Sequence, residues 1–344
     1  MAKILGIGNA LLDSEYSLTE TQLALSGLAK GNMTLASEQE QAGLDDYLYE
    51  QKVVATKQAS GGSAANSIFA AASLGSDTFY ACRVGDDANG QFYLDDLSNA
   101  GVKTSKQSIA IGGTTGTCMV LVTPEGERTM QTHLGTSAEI SEADIDFAQM
   151  TDTDLLYIEG YLAMTPSVQT AISQLKDVAK KNQTKIAVSF ADPAVVKFGR
   201  EGLDDILAGG VDVIFCNREE ALLFTDKSDI TTAAKALLDK CQLAIVTNGA
   251  MGTLIAFQEG AIDEEHDDNL VMIDTPTIGN VVDTNGAGDN FAGTFLHALS
   301  QGYNLKTCGM LASAVASQVI QQYGARLPAE QYQTIAKQVL ANLA

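Results

Sequence analysis

The stretch Val281-Val282-Asp283-Thr284-Asn285-Gly286-Ala287-Gly288-Asp289-Asn290-Phe291 decides the reading of this chain. Two apolar β-formers run into a polar turn, small residues follow, and apolar residues then recur at Phe291, Phe295, Leu296 and Leu299. That order predicts strand, glycine-rich turn and helix. A helix entered through Gly286-Ala287-Gly288 presents backbone N–H groups with the positive end of its dipole behind them, a setting that attracts an anion. An aspartate in the same first turn would repel that anion. The expectation is therefore a second task for Asp289 beside the anion: taking a proton from a hydroxyl that attacks a phosphoryl group.

Outward from this stretch, strand and helix candidates alternate. Residues 4–8, 78–84, 155–158, 185–190, 211–216 and 243–247 read as strands. Residues 64–74 (closed by Gly75), 91–100 (with Phe92, Leu94 and Leu97 near one face), 167–181, 219–224 and 231–239 read as helices. Repeated β-then-α order predicts an α/β fold of three layers: a mostly parallel twisted sheet with helices on both faces, and ligands outside the carboxyl ends of the strands. Residues of about 14–57 and 103–134 break the alternation, with a β-prone run at 115–123 and the turn Pro124-Glu125-Gly126-Glu127. They are expected to pair outside the main sheet as a small β lid that excludes water. No repeat or linker divides the chain, so 1–344 reads as one domain.

The net charge of −22 over 344 residues argues against nucleic acid as a partner, since phosphate backbones need clustered Lys and Arg. A phosphate ligand must then be met by backbone amides and a metal ion. The five cysteines, Cys82, Cys118, Cys216, Cys241 and Cys308, are widely spaced and never form C-x-x-C, as expected of buried thiols in a reducing cytoplasm. Met1-Ala2-Lys3 leads directly into a strand-like run, and no apolar stretch approaches the roughly 18 residues that span a bilayer. The expectation is a cytoplasmic protein with no membrane partner.

Four further segments carry two readings each. Gly8-Asn9-Ala10-Leu11-Leu12-Asp13 is a turn with an Asx cap, or it lets Asp13 accept hydrogen bonds from vicinal sugar hydroxyls. Gly6 and Gly8 imitate a dinucleotide fingerprint, but Leu11 stands where its third glycine belongs. Ser60-Gly61-Gly62-Ser63-Ala64-Ala65-Asn66 is a tightly packed helix start, or Gly61 and Gly62 admit a polar ligand to which Asn66 points a bidentate amide. Asn217-Arg218-Glu219-Glu220 is an acidic first turn, or Asn217 and Glu220 organise the waters of Mg2+ bound to ATP. Val246-Thr247-Asn248-Gly249-Ala250-Met251-Gly252-Thr253 is a hairpin, or a nucleotide contact through Thr247 and the backbone of Gly249 and Gly252. No Gly-Lys-Ser/Thr phosphate loop occurs. His133, His266 and His297 lie too far apart for a zinc motif, and the acidic run at 263–269 reads as a solvated loop.

In this order the pieces resemble the ribokinase-like, or PfkB, family of carbohydrate and nucleoside kinases over essentially the whole length. The resemblance rests on Asp-Thr-Asn-Gly-Ala-Gly-Asp at 283–289, Gly-Ser-Ala-Ala-Asn at 62–66 after Gly61, and Asn-x-x-Glu at 217–220. It implies that Asp289 is the catalytic base and that Asn285, Gly286, Ala287 and Gly288 form the anion hole. Asp13 and Asn66, with Asn9, Gly61 and Gly62, would hold the sugar. Asn217, Glu220, Thr247, Gly249, Gly252 and Asn285 would serve ATP, with Glu220 holding Mg2+ through water. Asp283 and the loop near Gly324-Ala325 are the positions suggested for a monovalent cation such as K+. Gly126-Glu127-Arg128-Thr129-Met130 and Glu159-Gly160-Tyr161-Leu162 resemble the adenosine kinase-like branch, in which Arg128 would reach a phosphate as the lid closes. Ala191-Asp192-Pro193 departs from that branch's neutral Ser-Ala-Pro and keeps a free sugar open beside a nucleoside. The expected activity is ATP-dependent phosphorylation of a primary hydroxyl. The rival is a non-catalytic sugar- or nucleotide-binding regulator on the same fold. Lids of the family pair across subunits in some members, so a homodimer is one assembly the resemblance allows.

Overall fold

The structure is a computed structural model and describes residues 2–261 and 267–343. Its main sheet has the strand order Leu270–Ile273, Thr253–Phe257, Cys241–Thr247, Val211–Asn217, Lys185–Ser189, Leu155–Ile158, Lys3–Ile7, Asp77–Ala81 and Val102–Thr104. From Cys241–Thr247 onward the strands run parallel, and the first two are added antiparallel. Consecutive residues feed opposite layers. Ile4 packs with Tyr157, Phe215 and Ile245 under the helices Ser63–Leu74, Ala287–Ser300 and Leu305–Val319. Leu5, Ile7, Leu156 and Val188 pack under Gln169–Asn182 and Arg200–Leu207. Burial on both faces is why these strands read as unbroken apolar runs.

A second sheet has the order Met33–Leu35, Arg128–His133, Gly116–Val122, Leu11–Ser17 and Lys57–Gly61. Met119 and Leu121 join Leu18, Leu23, Leu44 and Leu48 beneath the helices Glu20–Leu25 and Glu38–Glu50. The alternate residues Cys118, Val120 and Val122 form the other face with Met130. The strand positions differ from the sequence expectation. Pairing starts at Leu11 and reaches Gly61, and much of 14–57 is helical because Thr19–Gln22 and Ser37–Glu40 close capping boxes. Val102–Thr104 joins the edge of the main sheet, beside Asp77–Ala81.

Two other expectations are corrected. Val281 and Val282 form no strand. The N–H groups of Val282 and Asp283 both donate to Ile320 O, at 2.8 and 3.2 Å, which ties this segment to the end of the Leu305–Val319 helix. The helix expected at 91–100 is Ala88–Asn99; Tyr93 and Leu97 are its buried aromatic and leucine, whereas Phe92 is 39% exposed. Most of the acidic run 263–269 lies outside the described residues. The carboxyl ends of Lys3–Ile7, Leu155–Ile158, Lys185–Ser189, Val211–Asn217 and Cys241–Thr247 face the second sheet across a cavity of about 660 Å3.

Candidate active site

The helix Ala287–Ser300 enters this cavity through a turn whose shape only glycine permits. Gly286 has φ +72°, and a Cβ there would lie 2.2 Å from Ala325 O. Asn290 Nδ2 donates to Gly286 O (2.6 Å) and to Ala325 O (2.7 Å), and the Tyr332 hydroxyl donates to Asn290 Oδ1. The turn is thereby fixed against the 324–327 segment. The first N–H groups of a helix have no acceptor inside it. Gly286 and Gly288 line the cavity with Asn285; Ala287 does not, and its N–H leans on Thr284 O at 3.3 Å.

Asp289 lies on the cavity wall, and both carboxylate oxygens have donors from the helix Ser63–Leu74. Ser63 Oγ–H donates to Oδ1 at 2.6 Å, and Asn66 Nδ2–H donates to Oδ2 at 2.9 Å. Burial raises the proton affinity of Asp289, while these two bonds and the Arg326 charge work against the rise. Asn66 Oδ1 in turn accepts Arg326 Nε–H at 2.7 Å. The Asn66 amide is thus bonded at both ends to protein, not presented bidentately to a ligand. Asn66 still lines the cavity.

Asp13 faces the same cavity. Burial pushes its carboxyl up to about 7, against the pull of Arg326 and Arg128 and with a further push from Asp289. Among the described residues no donor hydrogen-bonds to Asp13, so its oxygens are open to hydroxyls in the cavity. Gly61 explains how the carboxylate fits: a Cβ there would lie 2.4 Å from its atoms. Gly61 therefore makes room for Asp13 and is not itself part of the wall. Gly62 is on the wall, with φ +103° and Asn9 O 2.4 Å from where a Cβ would stand.

Asn9 lines the cavity, but its amide is spent on scaffold. Nδ2 donates to Glu159 Oε1 (2.9 Å), and Oδ1 accepts Ser137 Oγ–H (3.1 Å). Glu159 also accepts Ala64 N–H at 2.8 Å, so one buried carboxylate joins the turn after Lys3–Ile7 to the start of Ser63–Leu74. Burial lifts Glu159 to about 7 despite these donors.

Asn217 and Glu220 both line the cavity and form a reciprocal cap. Glu220 N–H donates to Asn217 Oδ1 (2.9 Å), and Glu220 accepts Asn217 N–H (2.9 Å) and Nδ2–H (2.6 Å). Both readings of this motif are thus compatible with its geometry. Burial first, then Asp192, Glu219 and Asp289, raise Glu220 to about 7. A hydrated hard cation brought in by a phosphate ligand would relieve that crowding, so the donor set suits Mg2+. Thr247 is on the wall. Gly249 and Gly252 are not: their positive φ values close the hairpin between Cys241–Thr247 and Thr253–Phe257, with Gly252 N–H donating to Gly249 O and Asn248 N–H to Gly252 O.

Asp283 is also off the cavity wall. It accepts Asn285 N–H (3.0 Å) and Gly324 N–H (2.9 Å) and pairs with Arg128 Nη1 at 2.7 Å. A guanidinium already neutralises the carboxylate that sequence reading offered to a monovalent cation. Arg128 also pairs with Glu15 at 2.6 Å, so it is engaged by protein, not held out toward a phosphate. Among the described residues no group of three or more His, Cys, Asp or Glu is placed to hold a metal ion directly. Sequence reasoning assigned no role to Ser63, Glu159 or Arg326. Ser63 lay inside a quoted motif, whereas the Arg326–Asn66 bond spans 260 positions and leaves no local signal.

Comparison with known proteins bears on the family and the fold. The sequence pattern of the pfkB family carbohydrate kinase matches residues 28–331. The crystal structure of adenosine kinase from Sinorhizobium meliloti superposes with a TM-score of 0.85 at 30% identity, covering 98% of this chain and 99% of that one. A probable sugar kinase from Rhizobium etli superposes with the same TM-score and identity over 100% and 99% of the two chains. Adenosine kinase of Saccharomyces cerevisiae is 27% identical over 348 residues, 96% of this chain and 98% of that protein.

Proposed function

The chain belongs to the pfkB family of carbohydrate kinases, in its adenosine kinase-like branch, and from that premise we propose that it transfers the γ-phosphoryl group of ATP to a primary hydroxyl of an adenosine-like nucleoside. At the coarser level it is an ATP-dependent sugar or nucleoside kinase, a phosphotransferase with an alcohol acceptor. The single observation that carries the finer reading is the pair of cavity carboxylates. Among the described residues no donor meets the Asp13 carboxylate, which accepts the vicinal hydroxyls of the sugar. Asp289, oriented by Ser63 and Asn66, accepts the proton of the hydroxyl that attacks.

The chain's residues divide the work as follows. Gly286 and Gly288 direct backbone N–H groups at the phosphoryl oxygens, where charge gathers during transfer. Asn217 and Glu220 orient waters of Mg2+ that travels with ATP; the ion supplies charge neutralisation on the phosphates. Thr247 contributes to the nucleotide wall. The second sheet acts as a lid, and its inner residues Cys118, Val120 and Met130 offer an apolar face to a flat base. That face supports a nucleoside over a free sugar, although Asp192 and Tyr161 add a polar side.

Asp283 has Arg128 as an ion-pair partner, which favours a reaction independent of K+. No described helix is long and apolar enough to cross a membrane. The buried thiols Cys82, Cys118, Cys216 and Cys241 support a reducing, cytoplasmic location. An ADP-release screen with Mg-ATP and adenosine, inosine, ribose, fructose and 2-keto-3-deoxygluconate tests the substrate. Adenosine should give the highest kcat/KM. Binding of sugars without ADP release would favour the regulator instead.

A further inference from the structure

Arg326 is buried, 7% exposed, in the segment that follows Gly324-Ala325, and no feature of the reaction described so far uses it. Its guanidinium lies over the Phe69 ring, 4.4 Å from the centroid. Nη1 donates to Ser60 Oγ at 2.8 Å and pairs with Asp96 at 3.5 Å. Nε donates to Asn66 Oδ1 at 2.7 Å. The Asn66 amide has two possible orientations, and only one of them points N–H at Asp289. With Oδ1 held by a cation, Nδ2–H is forced toward Asp289 Oδ2, where it stands at 2.9 Å. The opposite orientation would set an amide oxygen against a carboxylate and an amide N–H against a guanidinium.

We infer that Arg326 is a positioning residue for phosphoryl transfer: its Nε–H locks the Asn66 amide so that Nδ2–H holds the Asp289 carboxylate at the attacking hydroxyl. The arrangement is a relay of two hydrogen bonds, guanidinium to amide to carboxylate. Its charge also reaches Asp13, the other cavity carboxylate. The inference rests on Asp289 being the base, and its test separates the two claims.

The electrostatic setting of Asp289 is otherwise unfavourable to a charged carboxylate. Asp13 from the second sheet, Glu159 and Tyr161 after Leu155–Ile158, Tyr157 within it, and Glu220 at the start of Arg218–Thr225 all interact with Asp289. Arg326 is the cation that acts on it, and Asn66 is the group through which it acts by hydrogen bonding. Removing Arg326 leaves Asn66 free to turn and removes the opposing charge.

The experiment compares wild type, Arg326→Met and Arg326→Lys with Asp γ-carboxyl 13C labelling, Asp289 being assigned from Asp289→Asn. The Asp289 titration and the acid limb of kcat/KM are followed side by side. Arg326→Met keeps the stack on Phe69 and should move the Asp289 titration up by about one unit or more, the scale of losing a nearby opposite charge. It should lower kcat about tenfold or more, as for loss of an oriented proton acceptor, with KM for ATP changed little. Arg326→Lys keeps a charge but not the planar N–H fork, so it should recover little of the lost kcat. An unmoved Asp289 titration in folded Arg326→Met, or full recovery by Lys, would overturn the inference. A moved titration with an unmoved kinetic limb would uphold the positioning and reject Asp289 as the base. If Arg326→Met does not fold, Arg326→Lys decides by kcat: a fall of about tenfold or more upholds the inference, and wild-type kcat overturns it.

Discussion

Arg128 Nη1 stands 2.7 Å from Asp283 Oδ2, which joins the second sheet to the loop that enters the anion-binding helix. The two side chains are 11% and 5% exposed, so little solvent screens the pair. Replacing Arg128 by Met leaves Asp283 without its counter-charge and should cost about 3–5 kcal/mol, measured by denaturant unfolding. Asp283→Asn added to Arg128→Met should recover part of that loss, because the uncompensated charge is gone. The same pair bears on cation dependence. Wild-type turnover should be equal in potassium and tetramethylammonium salts, and Arg128→Met should gain a dependence on K+. A wild-type enzyme strongly activated by K+ would contradict the view that the guanidinium fills this role.

Asp13 gives opposite pH slopes to stability and to binding. Its folded-state value, about 7, lies above the ordinary 3.8. The folded protein therefore holds that proton more tightly. The associated stability is complete below the unfolded value and is lost as pH rises through the folded one. Ligand-free Tm should fall between about pH 4 and 7. Glu159 and Glu220, raised in the same way, share that slope, so Asp13→Asn should remove part of the fall. Acceptor binding runs the other way. Vicinal hydroxyls donate to the ionised carboxylate, so KM for the acceptor should drop as pH rises through about 7. Asp13→Asn should raise that KM by one to two orders of magnitude, consistent with about 1.5–3 kcal/mol for hydrogen bonds to a charged group. An unchanged KM in this variant would remove Asp13 from the acceptor site.

Gly286→Ala tests the anion-binding turn. The added methyl would meet Ala325 O at 2.2 Å, and φ +72° is strained for alanine. The left-handed conformation alone costs about 1–2 kcal/mol. The turn must shift, and its N–H groups shift with it. Turnover should fall on the order of 10²–10³-fold, as when a donor to a developing oxyanion is lost. A kcat within threefold of wild type in the folded variant, by steady-state ADP release, would show that these amides do not hold the phosphoryl group.

The sequence made the main sheet legible because its strands are buried on both faces and stand out as apolar runs between helical patterns. The placement of Gly286, Gly288 and Asp289 on the cavity wall was legible because they are neighbours in one glycine-rich helix entry. Other segments take part in packing that a linear pattern does not display. Val281 and Val282 look like a strand, yet the N–H groups of Val282 and Asp283 are claimed by Ile320 O. Gly249 and Gly252 look like a nucleotide loop, yet hairpin closure already accounts for them. Asn9 and Asn66 look like ligand amides, and each also donates one N–H to a distant carboxylate, Glu159 and Asp289. Arg326 and Glu159 act across 260 and 150 positions, and such separations have no local pattern to read.

The most direct test of the account is the turnover of Asp289→Asn. The amide keeps the shape of the side chain but cannot accept the hydroxyl proton. A general base contributes on the order of 10²–10⁴ in rate, so kcat should fall by that factor while ATP binding, by calorimetry, stays within about threefold of wild type. A variant that keeps more than about a tenth of wild-type kcat would contradict the assignment of Asp289 as the base.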